Sequence, residues 1–333
     1  MTDTITIIRS RHGKRLAKLI RADGTVEDYD SAFMYDMIER PVAGLAQIAE
    51  LLAWLMGRPH CAVVRGQIID PARAASVRRL AFKCKKTGDE PTLRAAPHSW
   101  LALDMEGVDR PETVPAHDLA RCAETAIQRL PAAFHAARCI VQASASHGIK
   151  PGCRLRLWYW LDRPAGNGEL KHWLRGCPAD PSVFRTVQPI YTAAPLFADG
   201  VADHLPHRMI ELPGDGVVAV PAPALLAPPA PRPGGALPGA GAVGASGYAL
   251  AALTNAAVRV RQAGIGQRHD TILREARSLA RFIEGRLLTQ RDVSTVLRDA
   301  GRDAGKPEDE IDSVIEWAMD HPGTGPLPEG VAQ

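Results

Sequence analysis

The chain has 333 residues, a formal net charge of +3 and a pI near 8.6. Apolar residues make up 46% and charged residues 23%, which excludes a wholly disordered chain and leaves any nucleic-acid argument to local clusters of base rather than to total charge. The six cysteines (Cys61, Cys84, Cys122, Cys139, Cys153 and Cys177) form no C-x-x-C pair, so a zinc knuckle is not expected. No basic-then-apolar leader and no run of ~18 apolar residues is visible, and the expectation is a cytoplasmic protein with reduced thiols and no membrane partner.

Taken in chain order, Ile5–Ile8 reads as a short strand, and Leu16–Ile20 and Thr25–Tyr29 read as the arms of a hairpin about Ala22-Asp23-Gly24. Leu45, Ile48, Leu51, Leu52 and Leu55 recur at helical spacing between Gly44 and Met56. Cys61–Arg65 reads as a buried strand, Pro115–Leu130 and Pro131–Arg138 as helices, and Arg154–Leu161 as a strand rich in aromatic residues. From Val220 to Gly247 proline, alanine and glycine dominate, a composition that buries little and suits a flexible linker. Four short helices are expected beyond it: Tyr248–Ala263, Arg268–Glu284, one capped by Thr289 with Asp292 and ending near Gly305, and one entered through Pro307 with Glu308, Asp309 and Glu310 in its first turn. The fold class is thus an α+β domain over residues 1–219, a linker over 220–247, a small all-α bundle over 248–325 and a tail over 326–333.

The chemistry centres on Trp100-Leu-Ala-Leu-Asp104-Met-Glu106-Gly107. On a strand, Leu101, Leu103 and Met105 share one face, and Ala102, Asp104 and Glu106 share the other. Two carboxylates roughly 7 Å apart along a strand can hold divalent cations, and two-metal phosphoryl transfer needs such a bed, with ions roughly 4 Å apart. The alternative is an edge strand with two solvated acids. In Cys153-Arg154-Leu-Arg156-Leu-Trp158-Tyr-Trp160-Leu161, Arg154, Arg156, Trp158 and Trp160 share a face. If this strand lies beside the Asp104 strand, guanidinium forks suited to phosphate oppose carboxylates; a purely structural ladder of ion pairs is the competing reading.

Between the two strands, Ser144, Ser146 and His147 with Gly148 read as a tight turn at the sheet rim, from which His147 can donate to a nucleotide phosphate or stand as an incidental surface histidine. Asp180 before Pro181-Ser182 is either a third acid or a helix N-cap, with Asp162 as the rival third acid. Arg78, Arg79, Lys83, Lys85, Lys86 and Arg94 form a basic tract just before the acid strand, a track for template phosphates or a solvated face. Arg259, Arg261, Arg268 and His269 surround the first turn between the C-terminal helices, where they can grip template or an initiating triphosphate.

In this order, Asp104-Met-Glu106, Ser144-Ala-Ser-His147 and Asp180 resemble the motifs of the archaeo-eukaryotic primase (primase-polymerase) superfamily. Leu155–Pro164 and Gln188–Pro195 resemble its plasmid and bacteriophage branch in particular, and Gly266-Gln-Arg268-His269 resembles the helical domain that follows the catalytic one. One departure is Ala145, where the family pattern carries serine. The resemblance spans most of residues 60–320. It implies an RNA-recognition-motif-like catalytic sheet fused to an α/β unit, two Mg²⁺ or Mn²⁺ ions on Asp104, Glu106 and Asp180, and nucleoside triphosphates held by Ser144, Ser146, His147, Arg154 and Arg156. It further implies a single-stranded DNA template contacted by Lys83, Lys85, Lys86, Arg94, Arg268 and His269, and a separate replicative helicase as partner in a bacterial or phage-infected cell. No Gly-x-x-x-x-Gly-Lys-Ser/Thr loop supplies a motor within this chain. The competing functions are a non-catalytic replication initiator that binds origin DNA and a metal-dependent nuclease or relaxase; the latter usually carries a paired-histidine motif, and no His-x-His occurs here.

Overall fold

A computed structural model of the chain describes residues 2–84, 86–226, 245–264 and 267–323. The chain divides into two compact units, Met1–Pro228 and Pro229–Gln333.

The first unit is α+β. Its larger sheet has four antiparallel strands in the order Met209–Leu212, Cys139–Ala143, Cys153–Ala165, His98–Val108. The last two are called below the arginine strand and the acid strand. Their register sets Leu155 opposite Met105, Leu157 opposite Leu103 and Tyr159 opposite Leu101, all fully buried. Alternation therefore gives one apolar face, and the amphipathic helix Leu119–Ile127 packs against it, with Asp118 accepting from the Arg121 N–H at 3.1 Å to close its first turn. Phe134 meets Tyr159 edge-on at 5.0 Å in the same layer.

A second sheet orders Tyr35–Val42, Asp3–Ser10 and Cys61–Val64, all antiparallel. The helix Leu45–Met56 buries Leu45, Ile48, Leu52 and Leu55 in the same core as Ile5, Ile7 and the larger sheet. The strand Tyr35–Val42 is not anticipated by periodicity, because Asp36, Glu39, Arg40 and Pro41 break the apolar pattern; as the outer strand of three it leaves those residues at least partly in solvent. Gly66 follows the Cys61–Val64 strand, and a Cβ there would stand 2.6 Å from the Thr186 carbonyl. The close approach lets the Gly66 N–H donate to that carbonyl at 2.9 Å and fastens the 186 segment to the sheet.

A polar clip joins the two sheets. Arg65, 1% exposed, donates to the Trp100 and Ala165 carbonyls at 2.9 Å each and to Asn167 Oδ1 at 3.2 Å. Burial pulls its pKa down to about 10, and the nearby Asp3 charge works against that. Asp3 in turn holds His98 Nδ1 at 2.8 Å and the Ser99 N–H at 2.6 Å.

Asp36 ties the outer strand to its surroundings through Arg9 at 2.8 Å, Arg11 at 2.9 Å and the Ser76 N–H at 3.0 Å. The Arg9 bond first, then Ser76 and Arg11, hold its carboxyl at about 2 against the opposing effect of burial. A carboxyl depressed in the folded state adds stability above its unfolded pKa of roughly 3.9, and that contribution is lost as pH falls towards 2. We expect the melting temperature to fall between pH 4 and pH 2, and Asp36→Asn to flatten that part of the profile; an identical slope in the variant would remove Asp36 from the account.

Among the described residues, the second unit is a bundle of four helices: Ala245–Arg261, Arg268–Glu284, Gln290–Asp303 and Glu308–Asp320. Thr289 and Asp292 cap the third reciprocally, with the Asp292 N–H at 3.1 Å from Thr289 Oγ1 and the Thr289 N–H at 3.2 Å from Asp292 Oδ2. Its core includes Leu253, Val260, Ile272, Leu279, Val293, Leu297, Ile311 and Ile315.

Two expectations need correction. Pro131–Arg138 forms a single 3-10 turn, Ala132–Phe134, rather than a helix; Phe134 is driven into the core and the chain then turns at once into the Cys139 strand. The first unit also runs past residue 219, since Val220 and Leu226 are buried in its core and Arg163 donates to the Pro221 carbonyl at 2.6 Å. Residues 227–244 of the expected linker, and the tail, lie outside the described residues. No helix of the described residues is long and apolar enough to cross a membrane.

Candidate functional site

On the face of the large sheet opposite its leucines, the register brings Arg156 directly beside Asp104. Arg156 Nη2 donates to Asp104 Oδ2 at 2.9 Å, and Arg154 Nη1 stands 3.8 Å from Glu106 Oε1. The two strands thus set a row of guanidinium groups against a row of carboxylates. The pairs differ in environment. Asp104 and Arg156 side chains are 21% and 7% exposed, whereas Glu106 is 64% exposed. The site is buried at its Asp104 end and open at Glu106, where Gly107 follows with a positive φ of 71°.

Asp180 is fastened to the same place by backbone. Its N–H donates to the Asp104 carbonyl at 2.9 Å, and the Glu106 N–H donates to the Pro178 carbonyl at 3.1 Å, so Ala179 bridges Met105 and Asp180 lies across from Asp104. Directly opposed residues project from the same face, which puts Asp104, Glu106 and Asp180 on one side of the sheet. The Asp180 carboxylate also accepts from the Ser182 N–H at 2.8 Å and the Ser182 hydroxyl at 2.5 Å, capping the turn Pro181–Phe184. The N-cap reading of Asp180 is thus the one its side chain displays. Asp162, the rival acid, instead accepts from the Val220 N–H at 3.0 Å and anchors the end of the first unit.

Hard carboxylate oxygens are the donors Mg²⁺ and Mn²⁺ prefer. Among the described residues, however, no three His, Cys, Asp or Glu side chains are gathered as a group that could hold a metal ion. Arg156 and Ser182 engage Asp104 and Asp180, while Asp104 Oδ1 carries no protein partner among the described residues.

His147 does not face the site. It is fully buried; Nε2 donates to the Ala116 carbonyl at 2.8 Å and Nδ1 accepts from the Arg154 N–H at 3.1 Å. Both ring nitrogens are thereby used on backbone, and the expected donation to a phosphate is replaced by a brace that orients Arg154 from behind. Ser144 and Ser146 hydroxyls stand 3.5 Å apart, and the Ser144 carbonyl takes a bond from Arg208 at 3.0 Å. Trp158, expected on the same open face as the arginines, is fully buried 6.0 Å from Trp100.

Several side chains at the site carry no local sequence signal. Gln142 sits opposite Arg156 on the next strand and donates to the Thr192 carbonyl at 2.7 Å, while Arg156 also donates to the Tyr191 carbonyl. Tyr191 stacks on Tyr29 with ring centroids 3.5 Å apart and planes 9° from parallel. Burial pushes the Tyr29 phenol above its usual range, with the Arg156 and Asp104 charges acting on it in opposite senses. Gln142 Oε1, Arg156 Nε and Thr192 Oγ1 are buried without a hydrogen-bond partner.

Within the basic tract, Lys83 pairs with Glu90 at 2.5 Å and Arg94 donates to Gln67 at 2.9 Å, while Lys86 is exposed and Lys85 lies outside the described residues. In the helical unit, Arg268 turns to the Gly305 carbonyl at 3.3 Å, and His269 lines a cleft with Asp309, Glu310 and Trp317. Two carboxylates in that cleft oppose phosphate.

No family model matches the chain. Among curated proteins it is 28% identical, over 188 residues, to a protein of Escherichia phage T5 described as a "putative replication origin binding protein"; the match covers 51% of this chain and 19% of that relative. Among solved structures, a primase, RepB', is similar over 96% of this chain and 91% of its own, with 14% identity and a TM-score of 0.27.

Proposed function

We propose that this chain is a DNA-dependent primase, a nucleotidyltransferase that starts strands on single-stranded DNA. The observation that carries the reading is the pairing of Arg156 with Asp104 and Arg154 with Glu106, with Asp180 fastened across from Asp104. Phosphoryl transfer asks for carboxylates to hold divalent ions and for guanidinium forks to hold the phosphates those ions bridge, and here both sit on one rigid sheet face. Asp104, Glu106 and Asp180 would hold Mg²⁺ or Mn²⁺, which supply charge neutralisation at the reacting phosphate. Arg154 and Arg156 bind and orient the triphosphate, and His147 fixes Arg154 in place. An RNA-recognition-motif-like description of the four-stranded sheet fits this assignment.

The name of the phage relative favours a second reading, a replication initiator that binds origin DNA without catalysis. One experiment separates them. The full chain is incubated with unprimed circular single-stranded DNA, labelled nucleotides and Mg²⁺ or Mn²⁺. We expect short products that require both template and metal. Arg156→Ala should weaken nucleotide affinity about tenfold or more, since a hydrogen bond to a charged group is worth roughly 1.5–3 kcal/mol. Absence of product with either metal, while duplex DNA is still bound, would leave the initiator reading in its place.

A further inference from the structure

Beside the Pro181–Phe184 turn lies a groove of about 620 Å³ whose lining contains Arg79, Lys83, Lys171 and Arg185 and no aspartate or glutamate. On its wall stands Phe82, 82% exposed, the most exposed large apolar side chain among the described residues. We propose that this groove binds single-stranded DNA, with an unpaired base stacked on Phe82 and the backbone phosphates on the groove's basic side chains, Lys171 and Arg185 foremost.

Three observations lead there. The first is chemical. An exposed phenyl ring costs solvation and packs nothing, whereas it offers a flat platform to any base whose face is free. A duplex buries those faces, so the platform selects single strands. The second is electrostatic. Lys83 is paired with Glu90 and Arg79 donates to the Val187 carbonyl. No carboxylate belongs to the groove lining, however, and Lys171 makes no ion pair among the described residues, so the groove keeps an excess of positive charge that suits a polyanion. A neighbouring cavity near the start of the basic tract shows the contrast, with Asp70, Asp89 and Glu90 set among its arginines. The third is position. Arg185 closes the turn that Asp180 opens, its N–H donating to the Ser182 carbonyl at 2.9 Å, and Asp180 is bonded to the acid strand. Four residues of chain therefore join the groove to the carboxylates. Its wall is firm: Phe184 is buried in the core beneath, and Asn167 donates to Thr186 Oγ1 at 3.4 Å. That the bound strand is the template rests on the primase reading; that the groove takes single-stranded DNA does not.

The test measures binding alone. The full chain is titrated into a labelled oligo-thymidylate of about 20 nucleotides, without nucleotide or metal, and anisotropy is followed across salt concentrations. Phe82→Ala should weaken binding about tenfold, within the range for one stacked base, while Phe82→Trp should bind as the parent does and show quenched fluorescence on binding. The pair Lys171→Gln and Arg185→Gln should lower the salt slope by about 1.4, the release from two phosphate contacts on a single strand. Arg129→Gln, removal of one charge at the exposed C-terminal end of the helix on the leucine face, should change little. Unchanged melting temperatures separate lost contacts from lost fold, because Phe82 supports no core. Parent-like binding by Phe82→Ala and by the Lys171/Arg185 pair, or equal loss with a blunt duplex, would overturn the proposal. If the groove variants lose oligonucleotide while the parent makes no primers, the groove stands and the primase reading fails.

Discussion

Asp104→Asn is expected to abolish strand initiation, with primer synthesis falling about a hundredfold or more. The amide keeps the size and can still accept from Arg156 Nη2, so the sheet should stay intact. What it loses is the negative charge facing the Arg156 row. A charge-assisted contact set worth about 3 kcal/mol at the reacting centre corresponds to roughly two orders of magnitude in rate. The measurement is product yield on unprimed single-stranded DNA with Mg²⁺ and with Mn²⁺, beside a melting curve. Near-parental synthesis would remove Asp104 from the reacting centre and leave its bond to Arg156 as a structural ion pair.

The largest effect on stability is expected from Arg65→Ala. The guanidinium has no carboxylate bonded to it, yet it satisfies two carbonyls, Trp100 and Ala165, that belong to the acid strand and the arginine strand, and it reaches Asn167 beyond them. Truncation would strand both acceptors in the interior, at about 1–3 kcal/mol each, and leave a cavity as well. A loss of about 4 kcal/mol corresponds to a fall of roughly 8–16 °C in the melting temperature of a unit this size. Arg65→Met, which refills the volume without the donors, should recover part of the loss. If Arg65→Ala melts within a degree or two of the parent, the clip does not hold the sheets together.

The elements that alternation or helical spacing marks were legible in the sequence. Leu101, Leu103 and Met105 declared the face of the acid strand, and Leu155, Leu157 and Tyr159 declared that of the arginine strand; the structure sets the two side by side with Arg156 against Asp104. The helices of the second unit followed from caps that act over three residues, such as Thr289 with Asp292. What stayed hidden depends on contacts distant in the chain. Tyr29 meets Tyr191, Gln142 meets Thr192, and Arg65 meets Ala165, and none of these pairs leaves a mark in its local sequence. His147 was misread for the same reason: its partner Ala116 lies 31 residues away. A histidine in a turn of small polar residues looks exposed until the segment that covers it is placed.

The acid strand is the outermost of four, and that has a consequence for the protein's solubility. An outermost strand presents N–H and C=O groups that would accept a strand from another molecule and seed aggregation. Here the 178–180 segment occupies those groups, taking the Glu106 N–H and the Asp104 carbonyl for itself. Pro178 has no N–H of its own to offer outwards. The segment that sets Asp180 across from Asp104 thus also covers the sheet margin at Asp104–Glu106. Substitutions that loosen it would be expected to leave a protein that clumps before it unfolds.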